Sequence, residues 1–313
     1  MVEIFYRKPG GVARPFTNHP TGLRAWAKRM LRLAMGSMMV LAASFGTALA
    51  QAESGAPEGS SSGSFIRWMD NSLTVLPYGW GYRVDPKQQS TLTFEHTHDS
   101  SIGDLFFFVD ATWFHGNGSD DRTWYGEFSP RLSAGKIFDT DLSFHLLPFS
   151  TFQVKDILLA AQYERGKDAD QAEAILLGIG FDLDVREAGI LGRLGKFKYM
   201  QLNLYARSEL TENAPDGFRD MQITMVAGYP FDIGRSKFLI DGYFDWVLGI
   251  GSEESSFHLN PQVKLDLGNY WNQPDKLYVG VELDFWWNKY QIPDTAAFDT
   301  NQTAVSLLLK YHF

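Results

Sequence analysis

Along residues 277–288 the chain alternates without a break. Leu277, Val279, Val281, Leu283, Phe285 and Trp287 fall on one face; Tyr278, Gly280, Glu282, Asp284, Trp286 and Asn288 fall on the other. A period of two marks a β-strand, because successive side chains point to opposite sides of a sheet. The rhythm recurs over residues 238–248, where Asp241, Tyr243 and Asp245 share the second face. It recurs over 104–113, with Asp104 and Asp110 opposite an apolar row, and over 175–184, with Asp182 and Asp184. The chain ends on Thr303, Val305, Leu307, Leu309, Tyr311 and Phe313, with Gln302, Ser306, Lys310 and His312 between them. Weaker segments at 72–84, 89–98, 123–134, 151–165, 197–211, 217–230 and 255–267 bring the count to twelve.

Carboxylates that alternate with an apolar row cannot share its surroundings. One face must meet lipid while the other meets water or internal partners. The pattern therefore predicts an all-β fold, a transmembrane antiparallel up-and-down β-barrel of about 12 strands. An even number leaves both ends of the barrel on one side, and the strand ending at Phe313 is expected to close against the one near 72–84. Twelve strands about 4.8 Å apart and tilted about 40° make a backbone cylinder about 24 Å across. Side chains would narrow its lumen to about 10 Å or less. Connections at 115–123, 166–171, 211–217, 249–256 and 289–301 are assigned to the extracellular end. Asp232-Ile233-Gly234-Arg235 and Gly268-Asn269-Tyr270 read as tight turns at the other.

Composition places this barrel in a bacterial outer membrane. Arg24, Lys28, Arg29 and Arg32 precede an apolar stretch at 33–45 that ends in Ala48-Leu49-Ala50, so residues 1–50 read as an export signal peptide. Met30 opens a peptide of more usual length than Met1 does. Residues 51–64, rich in Gly and Ser, read as a flexible leader, and residues 65–313 as the barrel. Without residues 1–50 the chain keeps 21 basic and 36 acidic side chains, which argues against nucleic acid as a partner. The chain has no cysteine, as suits an oxidising compartment. A mean hydropathy of −0.20 is too polar for a helical membrane protein, whereas aromatic residues at 15% supply the two interfacial girdles a barrel needs.

By strand parity the lumen candidates are Tyr199, Asn203, Tyr205 and Arg207; Asp241, Tyr243 and Asp245; Glu282, Asp284 and Trp286; and Glu127, Ser129 and Arg131. Aromatic faces suit a flat ring and polar groups suit hydroxyls. The competing reading is that Arg131, Arg207 and the carboxylates pair with one another to hold the barrel's shape, and that the aromatic residues belong to the girdles. His96 and His98 share a face with Leu92 and Phe94, the expected lipid side, and two histidines are a weak metal signal. No metal or other cofactor is expected. His145, His258 and His312 are possible bases for many serines, but no nucleophile motif selects a pair, so the chain reads as no enzyme.

Several ordered matches give the chain a resemblance to the Tsx-like nucleoside-specific channel-forming proteins of the outer membrane. The opening FIRWMDNSLTVLPYGWGYRVDP carries Trp68, Val75, Arg83 and Pro86 in the family's pattern; LTFEHTHDSSIGDLFFFVDATWF carries Glu95 and Asp110. GEFSPRLS resembles the family's acidic-x-x-Pro-Arg element through Glu127, Pro130 and Arg131, and DTDLSF, GIGFDLD, YAR and YFDWVLG also correspond. The resemblance implies a narrow, selective pore that passes nucleosides and deoxynucleosides passively into the periplasm, with Arg83, Glu95 and Asp110 among its lining. The expected partners are nucleosides, outer-membrane lipid and lipopolysaccharide, and the barrel assembly machinery through Phe313; a monomer is expected. The alternative is a non-transport barrel serving as a surface adhesin or structural envelope protein, its acidic Asp120-Asp121 and Glu253-Glu254 loops carrying the function.

Overall fold

In the computed structural model, the residues described are 64–115, 122–145, 152–167, 173–185, 197–211, 217–249 and 254–313. The signal and leader segments expected at 1–50 and 51–63 lie outside them, as do Asp120, Asp121 and Glu253. The strands are β1 (Ile66–Trp80), β2 (Gln88–Ser100), β3 (Gly103–Phe114), β4 (Arg122–Ser133), β5 (Phe144–His145), β6 (Phe152–Gly166), β7 (Glu173–Val185), β8 (Tyr199–Glu209), β9 (Asp220–Ile233), β10 (Ser236–Leu248), β11 (Ser256–Asp266), β12 (Leu277–Trp287) and β13 (Gln302–His312). Each pairs antiparallel with its neighbour, and closure comes from β1 with β13 and from β4 with β6. β5 is a two-residue ribbon on β6, so twelve strands form the wall.

Closure satisfies every strand edge, the condition for exposing sheet to lipid. The alternation read from the sequence is the division between outside and inside. On β13, Leu307, Leu309 and Tyr311 are 49%, 43% and 51% exposed, while Ser306, Leu308 and Lys310 between them are 1%, 4% and 7%. Leu159, Leu177, Ile179, Leu204 and Ile240 continue the outward apolar surface around the barrel. None of this needs a spanning helix, and among the described residues no helix is long and apolar enough to cross a membrane.

Two expectations are corrected. The first strand is β1, beginning at Ile66 rather than 72 and ending at Trp80 rather than 84. It pairs Ser72 with His312 and Trp80 with Val305, its register shifting between Val75 and Gly79 around Pro77. Proline lacks the N–H a ladder needs and settles at such irregularities. Residues 268–270 form no tight turn: Gly268–Trp271 is a 3-10 helix within a longer connection from β11 to β12, whereas Gly234 and Arg235 do join β9 to β10 directly. The end of the barrel where β1 begins, here the proximal end, also carries a short helix, α1 (Ala134–Phe138). Ser133 caps it by accepting from the Lys136 amide, and Lys136 reaches Asp99 on β2. Asp156 on β6 accepts from the Gly135 amide at 3.0 Å and from the Ser133 hydroxyl, which fixes the start of α1 beneath β4 and β6.

Candidate functional site: the barrel lumen

The lumen is lined by two different surfaces. On β10, β11 and β12 the inward positions bring rings together. The His258 imidazole stacks on the Trp286 indole with centroids 3.8 Å apart and planes 14° from parallel. Tyr243 meets the same imidazole edge-on at 5.2 Å. His258 Nε2 lies 3.2 Å from Asp284 Oδ1, which fixes the ring against the indole. Toward the distal end, away from the chain ends, Tyr290 continues the series 5.5 Å from Trp286. Tyr82, just beyond β1, shares a 2.8 Å hydrogen bond with Ser306. Burial pushes the Tyr82 phenol up. A Cβ at Gly79 would meet Ser306 Oγ at 2.1 Å, so glycine there makes room for the pair.

On β4, β6, β8 and β9 the inward positions are ionic and amide groups engaged with one another. Arg207 Nη1 donates to Glu164 Oε1 at 2.7 Å and to Gln222 Oε1 at 2.9 Å. Gln222 Nε2 passes the network on to Asp245 at 3.0 Å, where Thr224 also bonds. Glu127 accepts from the Tyr125 hydroxyl at 2.8 Å and from Gln162 at 3.0 Å. Nearer the proximal end Arg131 uses Nε and Nη2 on both oxygens of Asp104, at 2.8 and 2.6 Å, and reaches Asp182 at 2.9 Å. A planar fork matched to a carboxylate is the strong form of such a bond. Beneath these groups Ala160, Ala174, Leu176 and Tyr205 form a buried apolar cluster inside the barrel.

Between the two surfaces, the proximal half is crowded with paired charges. The Lys264 ammonium lies 2.7 Å from the Asp241 carboxylate, and Tyr199 donates to the same carboxylate at 3.2 Å. Lys310 pairs with Glu95, which also accepts from Ser72 at 2.6 Å. His312 Nδ1 lies 2.6 Å from Asp70, and Thr93 donates to Asp110 at 2.6 Å. Glu282 accepts from Gln262 at 2.8 Å. Lys264, Gln222 and Ser306 are nearly fully covered.

Of the residues expected at the lumen, Glu95, Asp110, Glu127, Arg131, Asn203, Tyr205, Arg207, Asp241, Tyr243, Asp245, Glu282, Asp284 and Trp286 occupy inward positions on the strands. Tyr199 is inward at the proximal rim, its ring over Gly228, where a Cβ would sit 2.7 Å from it. Arg83 stands apart, beyond β1 at the distal rim, exposed and 2.9 Å from Asp299. Sequence reasoning passed over Tyr82, Tyr125, Glu164, Gln222, Lys264 and Lys289. Lys264 and Gln222 were legible by parity with their strands, whereas Tyr82 and Lys289 lie in connections, where parity has no meaning. His96 and His98 face outward as expected. They bond to each other at 2.9 Å, and His96 also bonds Asn71 at 2.8 Å; among the described residues no group of three metal-ligand types gathers.

Comparison with known proteins adds an independent line. A family profile described as "Nucleoside-specific channel-forming protein, Tsx" matches residues 66–313. The nucleoside-specific channel-forming protein Tsx of Escherichia coli O157:H7 is 24% identical over 239 residues, which is 72% of this chain and 74% of that protein. Its counterpart in Klebsiella pneumoniae is 25% identical over 243 residues, 73% of this chain and 75% of that one. Among solved structures, the translocator domain of autotransporter NalP from Neisseria meningitidis aligns at 10% identity and a TM-score of 0.29. That alignment covers 89% of this chain and 98% of the other.

Proposed function

This chain belongs to the family of nucleoside-specific channel-forming proteins, Tsx, and is an outer-membrane β-barrel; from that premise we propose that it passes nucleosides and deoxynucleosides by passive, selective diffusion. The observation that carries this reading is the row of Tyr243, His258 and Trp286 on one wall. A nucleobase is a flat π-system, and stacking it on an aromatic side chain is worth about 1–3 kcal/mol. Beside the rings Thr224 and Asp245, and on β4 and β6 Glu127 and Gln162, offer carboxylates, amides and hydroxyls suited to ribose hydroxyls. A solute held by both walls is held weakly enough at each to move on, which conduction requires.

The sequence-derived lining, Glu95, Asp110, Tyr199, Asn203 and the others, then serves two roles. Asp284 orients the ring that stacks, and Arg131, Arg207 and Lys264 neutralise carboxylates that would otherwise repel one another across a narrow lumen. Phe313, the outward aromatic end of the closing strand, is the group the barrel assembly machinery would read, and the barrel works as a monomer. A family of channel-forming proteins makes this a transport protein rather than an enzyme. Purified protein in planar bilayers should show a small conductance that adenosine or thymidine reduces and glucose does not. A conductance indifferent to both nucleosides would sink the reading.

A further inference from the structure

The segment after β12 delivers an ammonium into the distal mouth, and its backbone is strained in doing so. Asn288, Tyr290 and Gln291 have φ of 48°, 59° and 57°. Residues other than glycine rarely occupy this region, and they remain there only where their surroundings over-determine it. Between them Lys289 is 3% exposed. Its Nζ lies 5.9 Å from the ring centroid of Tyr82, 5.7 Å from that of Trp286 and 5.1 Å from that of Tyr290. It donates to Asp85 Oδ2 at 2.7 Å and to Gln302 Oε1 at 2.8 Å. The Tyr290 hydroxyl donates to the same Asp85 oxygen at 3.0 Å.

Three aromatic rings and a carboxylate around one cation have the chemistry of an ammonium receptor. A surface ion pair would need only Asp85. The rings come from three separate places: the β1–β2 connection, the end of β12, and the strained segment itself. We propose that Tyr82, Trp286, Tyr290 and Asp85 form an ammonium-binding cage at the outer mouth, that Lys289 is its tethered occupant, and that this occupancy holds residues 288–301 against the entrance. The hold is reinforced on either side, by Arg83 with Asp299 and by Gln291 Nε2 donating to Glu254 O at 3.2 Å. Because Trp286 belongs both to the cage and to the stack with His258, a cation in the cage polarises the ring on which a solute would stack. Small primary and quaternary alkylammonium ions are the ligand class the cage accepts once Lys289 leaves it.

The test removes the tether and supplies the cation separately. Lys289→Ala deletes the equivalent of n-propylammonium, so titration calorimetry of that variant with n-propylammonium should show binding about tenfold or more tighter than to the wild type. The neutral isostere n-propanol should show no such gain. Equal binding by variant and wild type, or equal binding of n-propanol, overturns the proposal. Lys289→Met keeps the aliphatic stem and guards against a variant that fails to fold. Proteolysis within 288–301 should quicken in it about tenfold as the local opening becomes easier, and an unchanged rate would also overturn the proposal. Neither measurement depends on the permeating solute, so failure of nucleoside block and failure of ammonium binding are separate results.

Discussion

The two walls of the lumen use the same strand geometry for different ends. On β10, β11 and β12, Tyr243, His258 and Trp286 meet ring to ring, and a single carboxylate, Asp284, steadies the imidazole. On β6, β8 and β9, Arg207, Glu164, Gln222 and Thr224 form one continuous network that ends on Asp245 of β10. The aromatic wall presents ring surface, whereas the Arg207 guanidinium is committed through Nη1 to Glu164 and Gln222. On the proposed function, the aromatic wall stacks the base while the carboxylates, amides and hydroxyls meet the sugar.

That contrast can be broken most sharply on the ionic side. Replacing Arg207 with Met leaves Glu164, 7% exposed, without its cation, and should cost about 3 kcal/mol in denaturant unfolding. The double change with Glu164→Gln should recover most of the loss. If Arg207→Met left stability intact but abolished nucleoside block, the ionic wall would be the receptor instead. On the aromatic side, Trp286→Ala should weaken nucleoside block by about 1–3 kcal/mol, on the order of ten- to a hundredfold, with a smaller effect on unfolding. Asp284→Asn removes the charged acceptor from His258 and should cost about 1 kcal/mol of the same block, read from the titration midpoint of the conductance. Tyr243→Phe is the smallest change. The hydroxyl stands 3.5 Å from His258 Nδ1, at the limit of a hydrogen bond, so the block should move by less than about 0.5 kcal/mol. A larger effect would mean that the hydroxyl, not the ring, meets the solute.

Much of this was legible because burial in a barrel is a local property of strand parity. Leu307 and Leu309 against Ser306 and Lys310 could be sorted before any partner was known. The sorting failed where the chain leaves that regime. Arg67 and Asn71 interrupt the apolar row of β1, which hid its true beginning at Ile66, and Pro77 sits where its register shifts. Arg83 carried the family resemblance yet lies outside the strands, while Lys289 carried none and is buried at the mouth. Parity also grouped Asp241, Tyr243 and Asp245 as one lining. The fold assigns them to three neighbourhoods: Lys264 with Tyr199, His258, and Thr224 with Gln222.

By itself, the sequence determined that this chain is a barrel of twelve spanning strands, which face of each strand meets lipid, and which family it resembles, because a period of two is set by neighbouring residues and the contrast between lipid and water enforces it. Only the tertiary structure decided which inward groups meet. Arg131 finds Asp182, 51 residues away, and Lys310 finds Glu95, 215 residues away. Such encounters depend on register and closure, which backbone hydrogen bonds between distant strands establish together and no local pattern encodes.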